Sequence, residues 1–291
     1  MNIIKKMIPQ FIKKRIKEMI SSDPTEVQYK IAIENVKRLK GKKVIVTGGT
    51  GAIGSAICHR LYCEGATVGI CGRNIKKVDK LIKRIESEGE IDGTLIPLEL
   101  DVTKEESIDR AIKQFVDETG GLDAFINNAG GSARENNKAV YEQNIQTVDE
   151  VINVNLRGTI LCTQKASRIM INQKKGCIIN LSSVVGLCGK STMSDYAATK
   201  AGIVGFTKSI ALELGKYNVR ANCISPGMVN QTPFDYGTPY KESSQNCLGY
   251  RGHTDDVAGV VAFILSDDAG YITGHNFVVD GGRSLGLMGD N

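Results

Sequence analysis

The sequence predicts an α/β protein, a single doubly wound domain whose parallel sheet is covered by helices on both faces, preceded by a helical N-terminal extension. Three observations predict it. From Lys42 onwards, short apolar runs rich in Val and Ile alternate with longer amphipathic stretches, and strands separated by helices of that length need right-handed crossovers and parallel pairing. The short runs are nearly continuous in apolar residues, as strands buried on both faces are. After residue 41 there is no repeat, low-complexity tract or linker at which to divide the chain, and 291 residues, 41% hydrophobic and 24% charged, suffice for one sizeable core.

The elements follow in order. Residues 1–20, MNIIKKMIPQFIKKRIKEMI, are apolar at 3, 4, 7, 8, 11, 12, 16, 19 and 20, with Lys and Arg on the other side of a helix. Pro9 breaks or starts that helix, which restricts it to Pro9–Ile20. This stretch holds six Lys/Arg and one Glu, so it accounts for the whole net charge of +5; the rest of the chain has 31 charges of each sign. The basic balance is therefore no argument for a nucleic-acid partner. No apolar run is long enough for a membrane span or a signal-peptide core. Two readings stay open for the arm: it packs on the body or on a neighbouring subunit, or it lies in the plane of an anionic membrane surface as a peripheral contact. SSDP (21–24) is a turn, and residues 25–40 are expected to form a second, polar helix. The extension is thus residues 1–40 and the domain 41–291.

Within the domain, strands are expected at Val44–Thr47, Thr67–Cys71, Leu95–Leu100, Leu122–Ile126, Cys177–Leu181, Val219–Ile224 and Asn276–Val279. Helices are expected at Ala52–Glu64, Ile75–Glu88, Lys104–Thr119, Thr147–Gln173, Tyr196–Leu214 and Asp255–Leu265. The eight cysteines (58, 63, 71, 162, 177, 188, 223, 247) form no Cys-x-x-Cys pair and no zinc-like spacing with His, so we expect no metal and no disulfide framework. Most of them sit in apolar runs, which reads as a reducing cytoplasm. Only three histidines (59, 253, 275) are present, none near a candidate nucleophile, which argues against a Ser-His-Asp hydrolase.

The chemistry concentrates in Ser182–Lys200, SSVVGLCGKSTMSDYAATK. Tyr196 and Lys200 are four apart, so on a helix they share one face one turn apart. A free tyrosine ionises near pH 10, and bringing it towards 7 takes about 4 kcal/mol. One ammonium at about 4 Å supplies roughly that at an effective dielectric of 20. A Tyr-x-x-x-Lys pair is thereby a tunable acid/base, and Ser183, at the end of an apolar run, can hydrogen-bond the same substrate oxygen. Alone, the pair is no more than an amphipathic helix; its company changes that.

Between the first strand and helix lies Thr47-Gly48-Gly49-Thr50-Gly51-Ala52-Ile53-Gly54, where glycines let the backbone turn and approach a pyrophosphate at the helix N-terminus. Nineteen residues past Gly54, the second strand ends in Gly72-Arg73-Asn74 with no acidic residue to accept from an adenosine ribose. Arg73 is placed to pair with a 2′-phosphate, which favours NADP(H), with NAD(H) possible. Asp101, followed by Val102, ends the third strand and is placed to accept from an adenine amine. Asn127-Asn128-Ala129-Gly130 ends the fourth strand and brings small and amide groups to the same crevice.

With these motifs in hand, the sequence resembles the short-chain dehydrogenase/reductase family over about residues 40–282. The residues that carry the resemblance are TGGTGAIG (47–54), Asp101, NNAG (127–130), VNLRG (154–158), INLSS (179–183), Tyr196 with Lys200, SPG (225–227) and VVDGG (278–282). It is most similar to the compact branch, with 3-oxoacyl-carrier-protein reductases and sugar and polyol dehydrogenases. The resemblance implies a Rossmann domain and a tetrad of Asn155, Ser183, Tyr196 and Lys200. In it Ser183 and Tyr196 hold the substrate oxygen, and Tyr196 transfers a proton to or from it. Lys200 lowers the tyrosine pKa and binds the nicotinamide ribose, and Asn155 holds a water that joins Lys200 to solvent. It also implies a cofactor site of Gly48, Thr50, Gly51, Ile53, Gly54, Arg73, Asn74, Asp101, Val102, Asn128, Ala129, Gly130, Tyr196, Lys200, Pro226, Gly227 and Val229. No metal is needed. A homodimer or homotetramer paired through residues 147–173 and 196–214 is expected.

Two departures from the compact branch stand out. Ala52 replaces a usual glycine, leaving Gly48-x-x-Gly51-x-x-Gly54, the spacing of the extended branch of nucleotide-sugar epimerases and dehydratases, with Gly51 the candidate to supply the lost backbone freedom. A threonine often found four residues after the Pro-Gly glycine is here Gln231, with Thr232 beside it. The stretch Met228–Tyr250, where the family keeps a variable lid, combines Phe234, Tyr236, Tyr240 and Tyr250 with many hydrogen-bonding side chains, which suits a small polar, sugar-like substrate. The expected activity is therefore NADP-dependent hydride transfer between nicotinamide and a ketone or secondary alcohol. The alternatives are a 3-oxoacyl thioester reductase, a nucleotide-sugar epimerase or dehydratase, and a non-catalytic cofactor-binding scaffold.

Overall fold

The computed structural model describes residues 37–87, 93–132, 136–230 and 241–285. Seven strands, β1 (Lys43–Val46), β2 (Thr67–Gly72), β3 (Thr94–Glu99), β4 (Ala124–Asn127), β5 (Gly176–Leu181), β6 (Val219–Pro226) and β7 (Asn276–Val279), form one sheet in the order β3-β2-β1-β4-β5-β6-β7. Every pairing is parallel. The helices between them are α1 (Ala52–Cys63), α2 (Ile75–Glu86), α3 (Glu105–Thr119), α4 (Ile145–Ile152), α5 (Gly158–Gln173), α6 (Val185–Cys188), α7 (Ser194–Leu214) and α8 (Thr254–Leu265).

The strand alternation sorts side chains into two cores. Val44 and Val46 of β1 face one layer with α1, α2 and α8, whereas Ile45 faces the other with α3, α5 and α7. β4 repeats the pattern, with Ala124 and Ile126 on the first side and Phe125 on the second. Burying each such Val, Leu, Ile or Phe contributes about 1.5–3 kcal/mol, so both faces of the sheet are strongly specified.

Most expected elements stand within two residues of their predicted ends. The fourth strand starts later than expected, at Ala124, because Gly120 ends α3 in a left-handed conformation and Leu122 N–H donates to Gln173 Oε1. The stretch expected as one helix from Thr147 begins at Ile145 and holds a π-helical segment, Asn153–Arg157, between α4 and α5. The four-residue α6 was not expected; four residues carry no periodicity to read.

Residues 37–41 form a turn, not the end of a polar helix. Leu39 is fully buried, and Arg38 reaches Glu64 through two hydrogen bonds of 2.9 and 2.7 Å. The readings of residues 1–20 as an amphipathic helix and a membrane contact lie outside the described residues. Among the described residues, no helix is long and apolar enough to cross a membrane.

Candidate active site

The strand order reverses between β1 and β4, and successive crossovers there leave in opposite directions, opening a crevice at the strand C-termini. A cavity of about 630 Å³ occupies it. Of the residues singled out from the sequence, Gly48, Thr50, Gly51, Ile53, Gly54, Arg73, Asp101, Val102, Asn128, Ala129, Gly130, Asn155, Tyr196, Lys200 and Pro226 line it. Asn74, Ser183, Gly227 and Val229 do not line it.

The glycine loop is stitched to the loop after β4. Thr47 Oγ1 donates to Ile126 O and accepts from the N–H groups of Asn128 and Ala129, both at 3.0 Å. Asn128 Nδ2 donates to Thr47 O and Gly48 O. Gly48 has φ +62°, and a Cβ there would stand 2.9 Å from Ala129 Cα. A Cβ on Gly54 would stand 2.2 Å from Gly48 O and 2.6 Å from Asn128 Nδ2. Gly51 is different: φ −76° and ψ 168° are open to any residue, so it supplies no special freedom in place of the missing glycine at 52. No side chain caps α1, and its first residues Ala52 and Ile53, with Gly51 before them, line the cavity.

At the far end of β2, Arg73 is exposed on the cavity wall. Asn74 caps α2, its side chain accepting from Lys77 N at 3.3 Å, and does not line the cavity. Asp101 accepts from Thr103 N (3.0 Å) and Thr103 Oγ1 (2.8 Å). Burial pushes its carboxyl pKa up, but those two bonds and the charges of Lys104 and Arg73 outweigh burial and hold it below the ordinary value.

The expected acid/base pair, Tyr196 and Lys200, lies on α7. Lys200 is 4% exposed, with Nζ donating to Leu181 O at 2.7 Å and standing 5.6 Å from the centroid of the Tyr196 ring. Burial lowers the Lys200 pKa to about 8, against a smaller opposing effect of the buried Cys223 thiol. Ser182 Oγ donates to Lys200 O at 2.7 Å, which fixes α7 against the end of β5. Asp195, also buried, accepts from Tyr196 N at 2.7 Å and from Gln143 Nε2 at 3.3 Å. Ser183 is half-buried beside the cavity, its Oγ accepting from Val185 N at 3.2 Å at the start of α6.

Asn155 sits in the π-helical segment, fully buried. Its Nδ2 donates to Gly131 O (2.9 Å) and Thr199 Oγ1 (3.3 Å), and its Oδ1 accepts from Gly131 N (2.9 Å). The side chain thereby ties the loop after β4 to the helix that carries Tyr196 and Lys200.

Gly227 packs on Asp280, where a Cβ would stand 2.5 Å from Asp280 Cβ, and its N–H donates to Val279 O. Val229 forms a bridge with Gly252 and lines a second cavity of about 270 Å³ with Met228, Leu248, Tyr250 and Asp256. Tyr250, expected on a substrate lid, therefore faces this second cavity. Gln231, Thr232, Phe234, Tyr236 and Tyr240 lie outside the described residues.

Several lining residues were not legible as such: Ser132, Glu150, Val151, Val154 and Ser182. Ser132 follows the NNAG motif by two residues and Ser182 stands in INLSS, so both lay next to signals, whereas α4 carries no motif. Among the described residues, no cluster of three or more His, Cys, Asp or Glu is placed to hold a metal ion.

Residues 42–241 match the family model described as short chain dehydrogenase. A 3-oxoacyl-[acyl-carrier-protein] reductase FabG of Thermotoga maritima is 37% identical over 249 residues, covering 84% of this chain and 98% of that protein. A 7alpha-hydroxysteroid dehydrogenase of Bacteroides fragilis is 32% identical over 255 residues, covering 86% of this chain and 97% of that protein. Among solved structures, a short-chain type dehydrogenase/reductase from Mycobacterium ulcerans aligns with a TM-score of 0.78 at 29% identity, over 85% of this chain and 91% of that one.

Proposed function

Because this chain belongs to the short-chain dehydrogenase/reductase family, oxidoreductases that act on CH–OH and C=O groups with NAD(P), we propose that it is an NADP(H)-dependent reductase of a small polar ketone, running also as the reverse alcohol dehydrogenase. The observation that carries the reading is Lys200: a buried ammonium one turn from Tyr196 and 5.6 Å from its ring, on the wall of the strand-end cavity.

The residues present suit a dinucleotide. The close approach of Gly54 to Gly48, the uncapped start of α1 and the Asn128 amide stitched to Gly48 leave a backbone surface suited to a pyrophosphate. Arg73 at the end of β2, with no carboxylate at its sequence neighbours Gly72 and Asn74, supports NADP(H) over NAD(H). When bound, the nicotinamide supplies or takes the hydride.

The chain's own residues handle the proton. Tyr196 donates from its phenol to the carbonyl oxygen in reduction and takes the proton back in oxidation. Lys200, charged over most of the neutral range, favours the phenolate, by about 3 kcal/mol for a unit charge at the 5.6 Å that separates its Nζ from the ring centroid and an effective dielectric of 20. Ser183 orients the substrate oxygen once its hydroxyl turns from Val185 N–H towards the cavity. Asn155 holds the loop and helix in register through Gly131 and Thr199.

A second substrate reading, a 3-oxoacyl thioester, draws on the relatives that carry that name at 37% identity over nearly their full length. The epimerase or dehydratase reading has the glycine spacing alone in its favour, and the relatives reported above carry the names of a reductase and a dehydrogenase. The scaffold reading has the full tetrad against it. A homodimer or homotetramer through α4–α5 and α7 is supported by the apolar side chains those helices expose, Ile152, Ile160 and Leu212. The membrane reading of residues 1–20 draws no support from the relatives.

The test is NADPH and NADH titration by fluorescence, followed by absorbance loss with keto-sugars, hydroxy ketones and 3-oxoacyl thioesters. Tyr196→Phe is the control. Tyr196-dependent NADPH oxidation supports the reading; tight NADPH binding without turnover on any carbonyl returns weight to the scaffold.

A further inference from the structure

Four buried polar side chains line the main cavity: Ser132, Asn155, Ser182 and Lys200. Three of them have their hydrogen bonds inside the fold. Asn155 is spent on Gly131 and Thr199, Ser182 on Lys200 O, and Lys200 on Leu181 O. Ser132 is 8% exposed, and its hydroxyl has no hydrogen-bond partner among the described residues. Its oxygen is not one of the sealed, unpaired polar atoms of the fold, so it opens onto the cavity, where a ligand can take up its hydrogen bond.

Its position is held firmly. Gly131, the preceding residue, is bonded to the Asn155 side chain through both its N–H and its C=O. Gly130, one residue earlier, lies against the acid/base pair, since a Cβ there would stand 2.7 Å from Asn155 Oδ1 and 3.4 Å from Lys200 Nζ. Two residues of chain span at most about 7 Å. Ser132 therefore lies on the wall of the cavity that Tyr196 and Lys200 also line, no more than about 7 Å of chain from the glycine that abuts Lys200.

We infer that Ser132 is a substrate-binding residue that hydrogen-bonds an oxygen carried close beside the reacting carbonyl, so that the enzyme prefers α-oxygenated or β-oxygenated ketones to plain ones. Ser132 both donates and accepts, so the shared chemistry has two sources: the hydroxyl of an α-hydroxy ketone, or the thioester carbonyl of a 3-oxoacyl group. The inference rests on the oxidoreductase reading above and names which atoms of the substrate that site recognises.

The experiment compares kcat/KM within two substrate pairs, using NADPH and the full-length protein. One pair is 1-hydroxy-2-butanone against 2-butanone; the other is an acetoacetyl thioester against 2-pentanone. In the wild type, the oxygenated member of at least one pair is preferred by tenfold or more, and Ser132→Ala lowers that ratio roughly tenfold, the loss expected for one hydrogen bond left unmade in a closed site. Ser132→Thr, which keeps the hydroxyl, retains most of the ratio. The pair that responds identifies the source. NADPH affinity and melting temperature, measured alongside, report whether the variant has kept its fold. Turnover with a ratio the same in Ser132→Ala as in the wild type overturns the role of Ser132 and leaves the oxidoreductase reading standing. Absence of Tyr196-dependent turnover on all four compounds overturns both.

Discussion

Asn155 and Gly131 bond each other twice: Nδ2 donates to the glycine carbonyl and Oδ1 accepts from the glycine N–H, both at 2.9 Å. One amide side chain, placed by a π-helical segment, thus satisfies the backbone of the loop that borders the acid/base pair. Asn155→Ala leaves both Gly131 groups without that partner. Each unmade bond costs about 1–3 kcal/mol where water does not replace it, so a loss of about 2–4 kcal/mol is expected in urea denaturation, with a fall in kcat. Asn155→Asp should be no better than Ala, because the carboxylate sets an acceptor against Gly131 O. Wild-type stability in either variant would sink the clamp.

Lys200 makes the second prediction, on pH. Its folded pKa, about 8, lies below the 10.5 of an unperturbed lysine, so it is a cost to folding. Below pH 8 both states hold the proton and the cost is full. Between 8 and 10.5 the native amine has lost its proton while the unfolded one keeps it, and stability rises with pH. The full cost is about 3 kcal/mol. Lys200→Met, measured without cofactor, should therefore be more stable than the wild type at pH 7 by about 1–2 kcal/mol after the bond to Leu181 O is lost. The advantage should fade towards pH 10, and turnover should collapse. An advantage that grows with pH would contradict the assignment.

The contrast between what the sequence carried and what it did not is visible in these two residues. The pairing of Lys200 with Tyr196 follows from a four-residue spacing, and the parallel sheet covered on both faces follows from apolar runs alternating with helices. The direction in which Lys200 points, towards Leu181 O, depends on how α7 sits against β5, a long-range contact with no local pattern. Asn74 illustrates the same limit: cap and cofactor ligand ask for the same residue type, and only the Lys77 N–H bond separates them. Ser132 stood two residues from a recognised motif, yet its burial became apparent only once the loop was folded against Asn155. The turn at 37–41 read as polar helix because Lys and Arg dominate it, whereas Leu39 and the Arg38–Glu64 pair anchor it to the body.

The glycine loop supplies a paired prediction. In Gly54→Ala, the new methyl meets Gly48 O at 2.2 Å, a backbone atom held by Asn128, so the loop must shift. Overpacking of this kind costs about 1–3 kcal/mol, and NADPH binding should be lost in a fluorescence titration. In Gly51→Ala the methyl meets only Gly48 O at 3.4 Å in ordinary backbone geometry, so the melting temperature should stay close to wild type. Equal destabilisation by both changes would be inconsistent with this loop.

Glu64 is fully buried and accepts from Arg38 Nε (2.9 Å), Arg38 Nη2 (2.7 Å) and Arg60 Nε (2.6 Å). Glu64→Gln removes the charge both guanidiniums face. Breaking a buried pair from one side costs about 3–5 kcal/mol, the expected loss here, visible as a lowered urea midpoint. Arg38→Met should cost less, since that side chain is partly exposed and Arg60 still faces Glu64. If Arg38→Met proves the more damaging, Leu39 and the turn, not the carboxylate, hold this segment.

The proposed NADP(H) preference turns on Arg73. It is exposed on the cavity wall at the end of β2, and the neighbouring positions Gly72 and Asn74 bring no carboxylate. A guanidinium there contributes to NADPH affinity only through the 2′-phosphate, a group NADH lacks. Arg73→Ala should raise the NADPH Kd by roughly 10–100-fold, the range of one charge-assisted phosphate contact, and leave the NADH Kd within about twofold. Because the site is open to solvent, the wild-type preference should shrink as salt is raised, the Debye length falling from about 10 Å at 0.1 M to about 3 Å at 1 M. Arg73→Asp goes further: its carboxylate repels the phosphate and accepts from a free ribose hydroxyl, so NADH should become the preferred cofactor. Equal weakening of both cofactors in Arg73→Ala would place the guanidinium on the shared part of the dinucleotide and remove the basis for an NADP(H) preference.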